Sequence, residues 1–182
     1  SRVMSLLRVA RMGHAVRRTR AREIERAELK QPSVQRLIDD MIDTMHEYHG
    51  VGLAAPQIHE GLRIFVAAIA PLDEEPLSPE TEPMVFINPV ITPVGKDVVE
   101  DWEGCLSIPD LRGRVPRARA ITVTAMDRRG EKIEIASLDF PARVIQHETD
   151  HLDGVLFLDR MRSFESLAFL EEHSRYWAKD RD

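Results

Sequence analysis

The stretch "PARVIQHETDHLDG" (Pro141–Gly154) places two histidines four residues apart, with a glutamate directly after the first. Its pattern predicts a helix over Pro141–Asp153, stopped by Gly154, a residue suited to the left-handed conformation that closes a helix. Positions i and i+4 lie one turn apart on one helical face, so His147 and His151 can reach the same ion. Glu148 projects about 100° round the helix, beside such an ion, where it could take a proton from bound water. A bare HExxH could equally be two incidental helical histidines, so the rest of the chain must supply a third ligand.

Outward from this helix, Val34, Leu37, Ile38, Met41, Ile42 and Met45 fall at three- and four-residue steps. They form the apolar stripe of an N-terminal amphipathic helix over Pro32–Tyr48, with Pro32 suited to its first turn and Gly50 to its end. "RIFVAAIA" (Arg63–Ala70) reads as a buried strand, and the proline- and acid-rich Pro71–Pro83 as an exposed loop. Met84–Ile91, Asp97–Trp102, Ala120–Met126 and Lys132–Leu138 have strand character, the last two joined as a hairpin by a turn at Asp127–Gly130. A last helix is expected over Ser163–Ala178. Strands framed by helices without βαβ alternation predict an α+β fold, with antiparallel or mixed sheets packed around a central helix that carries HExxH.

The 182 residues suit a single domain spanning 1–182, with 1–31 as a basic N-terminal arm and 163–182 as a C-terminal helix and tail. Residues 1–30 hold eight arginines and Lys30 against three glutamates, which reads as a solvated arm or helix face in preference to an anionic contact surface. A net charge of -6 argues against a dedicated nucleic-acid binder, and specific DNA binding is not expected. No apolar run approaches the roughly 18–20 residues of a membrane span, and arginines interrupt the place where a signal peptide would be apolar. A cytoplasmic protein is expected. With Cys105 the lone cysteine, a disulfide within the chain is impossible.

Three routes to a third ligand are open. A peptidase class with a closing histidine three residues after the glycine is excluded, because Phe157 stands there. Glu171 has the spacing used by a second zinc endopeptidase class, although it sits in the charged stretch "EEHSRYWAKDRD". Cys105 offers a soft thiolate, and a Cys-His-His set leaves a fourth position open for water.

Cys105 sits in "EGCLSIP" (Glu103–Pro109), and "GVGLAAPQI" (Gly50–Ile58) lies far upstream. With "QHETDHLDG" these blocks resemble, in order, the three signature motifs of bacterial peptide deformylases, over about Val34–Met161. The resemblance implies removal of the formyl group from N-formylmethionyl nascent peptides, with the ribosome as a transient partner. It implies a metal held by Cys105, His147 and His151, with Glu148 as general base. The Gln57 side chain and the Leu106 N–H would form an oxyanion hole. Gly52 would bond the substrate backbone, and Val51, Phe140 and Val144 would enclose the methionine. Glu103 and Arg117 would pair behind the metal. Fe2+ is the expected ion, with zinc, nickel or cobalt as substitutes. A zinc endopeptidase using Glu171 and an inactive formyl-peptide-binding paralogue are the alternatives; Glu148 and Gln57 speak against the second.

The chain departs from the family pattern in several places. Many members read like "HPVLR" where this chain has "HAVRR" (His14–Arg18), which adds charge and leaves open a tethered arm, a dimer contact or an RNA contact. Asp139 precedes Phe140 where Gly-Phe is common, so the helix entry is expected to be capped differently. Thr149 replaces a larger residue. "LRGRVPR" (Leu111–Arg117) resembles the subset with a shortened loop, and Arg112 is either a peptide contact or a surface residue.

Overall fold

The computed structural model describes residues 5–72, 74 and 81–178. A one-turn helix α1 (Arg26–Leu29) leads into α2 (Pro32–Glu47), which opens on Pro32 and buries Val34, Ile38, Met41 and Met45. The left-handed residue at its end is His49 (φ +54°), one before the expected Gly50, whose N–H instead closes onto the Met45 carbonyl at 2.9 Å. The strands are β1 (Gly52–Ala54), β2 (Ile64–Ala67), β3 (Met84–Pro93), β4 (Val98–Cys105), β5 (Ile108–Ala118), β6 (Ala120–Met126) and β7 (Lys132–Leu138). Next come α3 (Asp139–Leu152), the short α4 (Phe157–Arg160), the two-residue β8 (Ala168–Phe169) and α5 (Leu170–Tyr176).

Two antiparallel sheets result, ordered β1-β2-β3-β6-β7 and β4-β5-β8. In β2 every residue is buried because both faces are covered. Phe65 and Ala67 join Ala142, Val144 and Ile145 of α3 in one cluster, while Ile64 and Val66 join Ile38, Met41 and Met45 of α2 in another. The period-two alternation of a strand thus splits one run of apolar residues between two helices. An α+β fold with antiparallel sheets and a C-terminal helix is what the sequence predicts. The β6–β7 turn is closed by Asp127, whose carboxylate accepts from the Arg129 and Glu131 N–H groups.

Four expectations need correction. The buried strand is Ile64–Ala67, shorter than Arg63–Ala70. Leu111–Arg117 lies inside β5, where Pro109, Gly113 and Pro116 had masked the strand pattern. The C-terminal helix is only Leu170–Tyr176, because Ala168 and Phe169 pair with Arg112 and Leu111 as β8. The basic N-terminal segment is not a solvated arm. Its backbone is stitched to the body by Ala10 N–H to Gln57 O (2.6 Å), Met12 N–H to Ser107 O (2.7 Å) and Ala21 N–H to Leu152 O (2.8 Å). Ala10, Arg17, Ala21 and Ile24 are buried, although Arg8, Arg11 and Arg20 face solvent. Of the loop expected at Pro71–Pro83, residues 73 and 75–80 lie outside the described residues; Leu72, Glu74, Thr81 and Glu82 are exposed. Residues 179–182 of the C-terminal tail also lie outside them.

At the start of α3, Asp139 has φ +58°, the left-handed region that glycine adopts freely and aspartate tolerates. Its carboxylate accepts from Arg119 Nε at 3.1 Å. Gly154 closes the helix at φ +72° as expected.

Candidate metal centre and active site

Helix α3 places His147 and His151 one turn apart, and the end of β4 brings Cys105 against them. A shift in pairing register between Glu103 and Cys105 breaks the β4–β5 ladder here, as irregularities that re-aim side chains do. Cys105 Sγ lies 3.4 Å from His151 Nε2, which lies 3.1 Å from His147 Nε2. Ligand atoms on one tetrahedral ion stand about 3.3–3.6 Å apart; the Cys105–His151 separation matches that spacing and the two imidazoles stand slightly closer. Among the described residues this donor triangle is the group of such side chains able to hold a metal. Glu171 is no competitor: its side chain is 81% exposed and pairs with Arg175. Phe157 is buried and stacks on His147, with centroids 6.5 Å apart.

Behind His147 stands Glu103. Its Oε1 is 2.8 Å from His147 Nδ1 and accepts from Arg117 Nη2 at 2.9 Å. Its Oε2 accepts from Arg117 Nε (2.9 Å) and Arg143 Nη1 (2.7 Å). Burial works to raise the Glu103 carboxyl, but the bonds from Arg117 and His147 outweigh it and hold it well below the usual carboxylate range. Arg117 also donates to Asp150 at 2.6 Å, which in turn binds Arg160. Burial likewise opposes charge on His147, yet Cys105 and Glu103 push it up to about 10.

His151 has the opposite surroundings. Its Nδ1 lies 2.5 Å from Nη2 of Arg17, which is fully buried and whose Nε and Nη1 have no partner among the described residues. Burial first, then the charges of His147 and Arg17, lower His151 well below its ordinary value, so it stays uncharged.

Glu148 is buried beside the donor group, and its Oε2 has no partner among the described residues. Burial raises its carboxyl to about 7, against the pull of His147 and Arg17. Gly52 packs so close that a Cβ there would stand 2.8 Å from Glu148 Oε1. The amide of Gln57 has a fixed direction: Oε1 accepts from Ala54 N–H (2.9 Å), turning Nε2 toward Cys105 Sγ (3.6 Å) and Ser107 Oγ (3.3 Å). The Leu106 N–H has no acceptor among the described residues.

These groups open on a cleft of about 1300 Å³. Val51, Gly52, Gln57, Leu106, Phe140 and Val144 line it, so every residue expected near the substrate is on its wall. Val51 and Phe140 are exposed there and Val144 is buried. Thr149 is not on the wall; its hydroxyl donates back to Ile145 O at 2.8 Å. Arg17, Ser107, Arg143 and Asp150 escaped sequence reading. Arg143 had one signal, its position a turn before His147, which lets both reach Glu103. The "HAVRR" departure marked Arg17 without indicating that it is buried. Composition marks Arg8 and Arg11 as part of a basic cluster, without indicating that Arg8–Met12 forms a wall of the cleft.

Comparison with known proteins agrees with this geometry. Residues 6–166 match the polypeptide deformylase family. Peptide deformylase 2 of Nostoc sp. (strain PCC 7120) is 42% identical over 175 residues, covering 96% of this chain and 97% of that relative. Peptide deformylase 1 of Prochlorococcus marinus (strain MIT 9313) is 47% identical over 137 residues, covering 75% of this chain and 71% of that relative. The Met-Ala-Ser-bound crystal structure of class I type b peptide deformylase from Acinetobacter baumannii superposes with a TM-score of 0.79 at 38% identity, covering 87% of this chain and 100% of that one. A family match over most of the length, a relative aligned almost end to end and a shared fold establish that the chain belongs to the polypeptide deformylase family.

Proposed function

We propose that this protein is an amide hydrolase that removes the formyl group from N-terminal formylmethionine of newly synthesised polypeptides, releasing formate. The observation that carries the reading is the meeting in one cleft of the Cys105, His147 and His151 donors with the pinned amide of Gln57. In this reading residues 1–182 form one catalytic domain, and α3 is the central helix on which HExxH presents the site. Cys105, His147 and His151 would hold a divalent ion, which would supply Lewis acidity and activate water. We assign Fe2+, with zinc, nickel or cobalt as substitutes that the same donors accept.

The chain's own groups perform the rest. Glu148 accepts the proton of the attacking water and delivers it to the amine nitrogen as the C–N bond breaks. Burial of Glu148 favours the protonated carboxyl that the second half of that exchange uses. Gln57 Nε2 and the Leu106 N–H donate to the formyl oxygen as it gains negative charge; each such donor contributes on the order of 10²-fold in rate. Strand β1 is the edge of its sheet, so an extended peptide can pair beside Gly52 as an added strand. Val51, Phe140 and Val144 enclose the methionine side chain. Glu103 and Arg117 orient His147 from behind. The ribosome, where such substrates emerge, is a transient partner, and the cytoplasm is the compartment; among the described residues no helix is long and apolar enough to cross a membrane. Formate release from formyl-Met-Ala-Ser by iron-loaded protein, measured without oxygen, tests the reading; absence of turnover overturns it.

A further inference from the structure

We infer that the cleft selects formylated peptides carrying acidic side chains shortly after the methionine, and that Arg8 and Arg11 are the residues that make this selection. The inference rests on the deformylase reading and adds a substrate class to it. The N-terminal segment is fixed on the site side of the molecule, through Ala10 N–H to the carbonyl of Gln57 and Met12 N–H to that of Ser107. Both Arg8 and Arg11 are exposed and line the cleft. Other arginines of the segment are committed: Arg17 to His151, Arg18 to Asp159 and Arg22 to Glu28. Neither Arg8 nor Arg11 has an ion-pair partner among the described residues.

The remaining charges of the cleft leave this one unanswered. Glu103 is buried and held by Arg117, Arg143 and His147, and Glu148 is buried at the site itself. Arg112 adds a third rim cation, its Nη1 donating to the Leu111 carbonyl, and Asp110 is the carboxylate that opposes them. The mouth is therefore cationic on a chain whose net charge is -6. Bulk charge repels an acidic peptide, so a preference for one must come from this rim. An extended chain advances about 3.3 Å per residue, which puts the third and fourth side chains roughly 7–10 Å beyond the methionine, away from the buried donors and toward the open side of the cleft. Each exposed charge pair is weak, so two arginines together supply about a fivefold preference, and salt erodes it.

The test uses the metal-loaded full chain and three peptides: formyl-Met-Ala-Asp-Asp, formyl-Met-Ala-Lys-Lys and formyl-Met-Ala-Ser. The readout is the ratio of kcat/KM for the acidic peptide to that for the basic one, at low salt and at about 0.5 M salt. The expected ratio is about five at low salt, approaching one at high salt. It should fall toward one in the Arg8→Ala/Arg11→Ala double variant and invert in Arg8→Glu/Arg11→Glu, which a merely structural role would not produce. A wild-type ratio near one, or a ratio unmoved by both double variants, overturns the inference alone. Failure of the wild type to turn over formyl-Met-Ala-Ser removes the deformylase reading and the inference with it.

Discussion

Replacing Gly52 with alanine puts a methyl group where the Glu148 side chain stands. The new Cβ would lie 2.8 Å from Oε1 and 2.9 Å from both Cδ and Cγ of Glu148. Ordinary contact begins near 3.4 Å, so the carboxylate must retreat by about 0.6 Å. It can do so without breaking a hydrogen bond at Oε2, which has no partner among the described residues. Gly52 does not have the left-handed backbone that would strain alanine. Stability should therefore change by less than about 1 kcal/mol, the clash being offset by the lower backbone entropy of alanine in the unfolded chain. Rate should not escape, because a misplacement of about 1 Å at a reacting group costs up to about 10²-fold; about tenfold is expected here, mostly in kcat. Gly61→Ala is the control, since nothing lies within 4 Å of a Cβ at that position. Formate release and thermal unfolding of the two variants, each with its metal content measured, decide the matter. A Gly52→Ala protein with kcat within twofold of wild type would refute the placement of Glu148 as the base.

Three other perturbations follow from the same geometry. Cys105→Ser should lose bound metal on dialysis while Glu171→Ala retains it, measured as metal per chain; the reverse would restore Glu171 as a ligand. Glu103→Gln leaves buried Arg117 and Arg143 short of charge, so it should cost about 3–5 kcal/mol in urea unfolding and about 10–100-fold in metal affinity. Because the folded-state carboxyl of Glu103 is depressed, its stabilisation is present above the unfolded value near 4.5 and lost as pH falls toward the folded value. The gap between wild type and Glu103→Gln should thus shrink in acid, and a pH-independent gap would contradict the assignment. Arg17→Leu removes a buried cation with two unpaired nitrogens, so the metal-free protein should melt at the same temperature or higher; a loss above about 2 kcal/mol would show that the Arg17–His151 contact holds the fold.

The parts of the site that sequence could reveal are those set by local spacing. His147, Glu148 and His151 follow from one helical turn, and Cys105 and Gln57 lie in compact motifs whose residues act together. The parts that stayed hidden depend on distant segments meeting. Arg17 reaches His151 across 134 positions, and Ser107 meets Gln57 across 50. No periodicity encodes such encounters. The fold shows the same division. Alternation predicted β6 and β7, whereas Pro109, Gly113 and Pro116 concealed β5, and the apolar spacing read as one C-terminal helix is shared by β8 and α5. Asp139 stands where Gly-Phe is common, and the different helix entry expected there takes the form of a positive φ carried by aspartate.

The bonds behind the two histidines have a consequence for the life of the protein. Glu103 holds one imidazole and Arg17 contacts the other, while Gln57 is held by Ala54, all through contacts within the chain. Both imidazoles are thus braced by side chains 44 and 134 positions away in the chain. A substitution that loosens either of those distant segments would reach the donor group without altering a single donor.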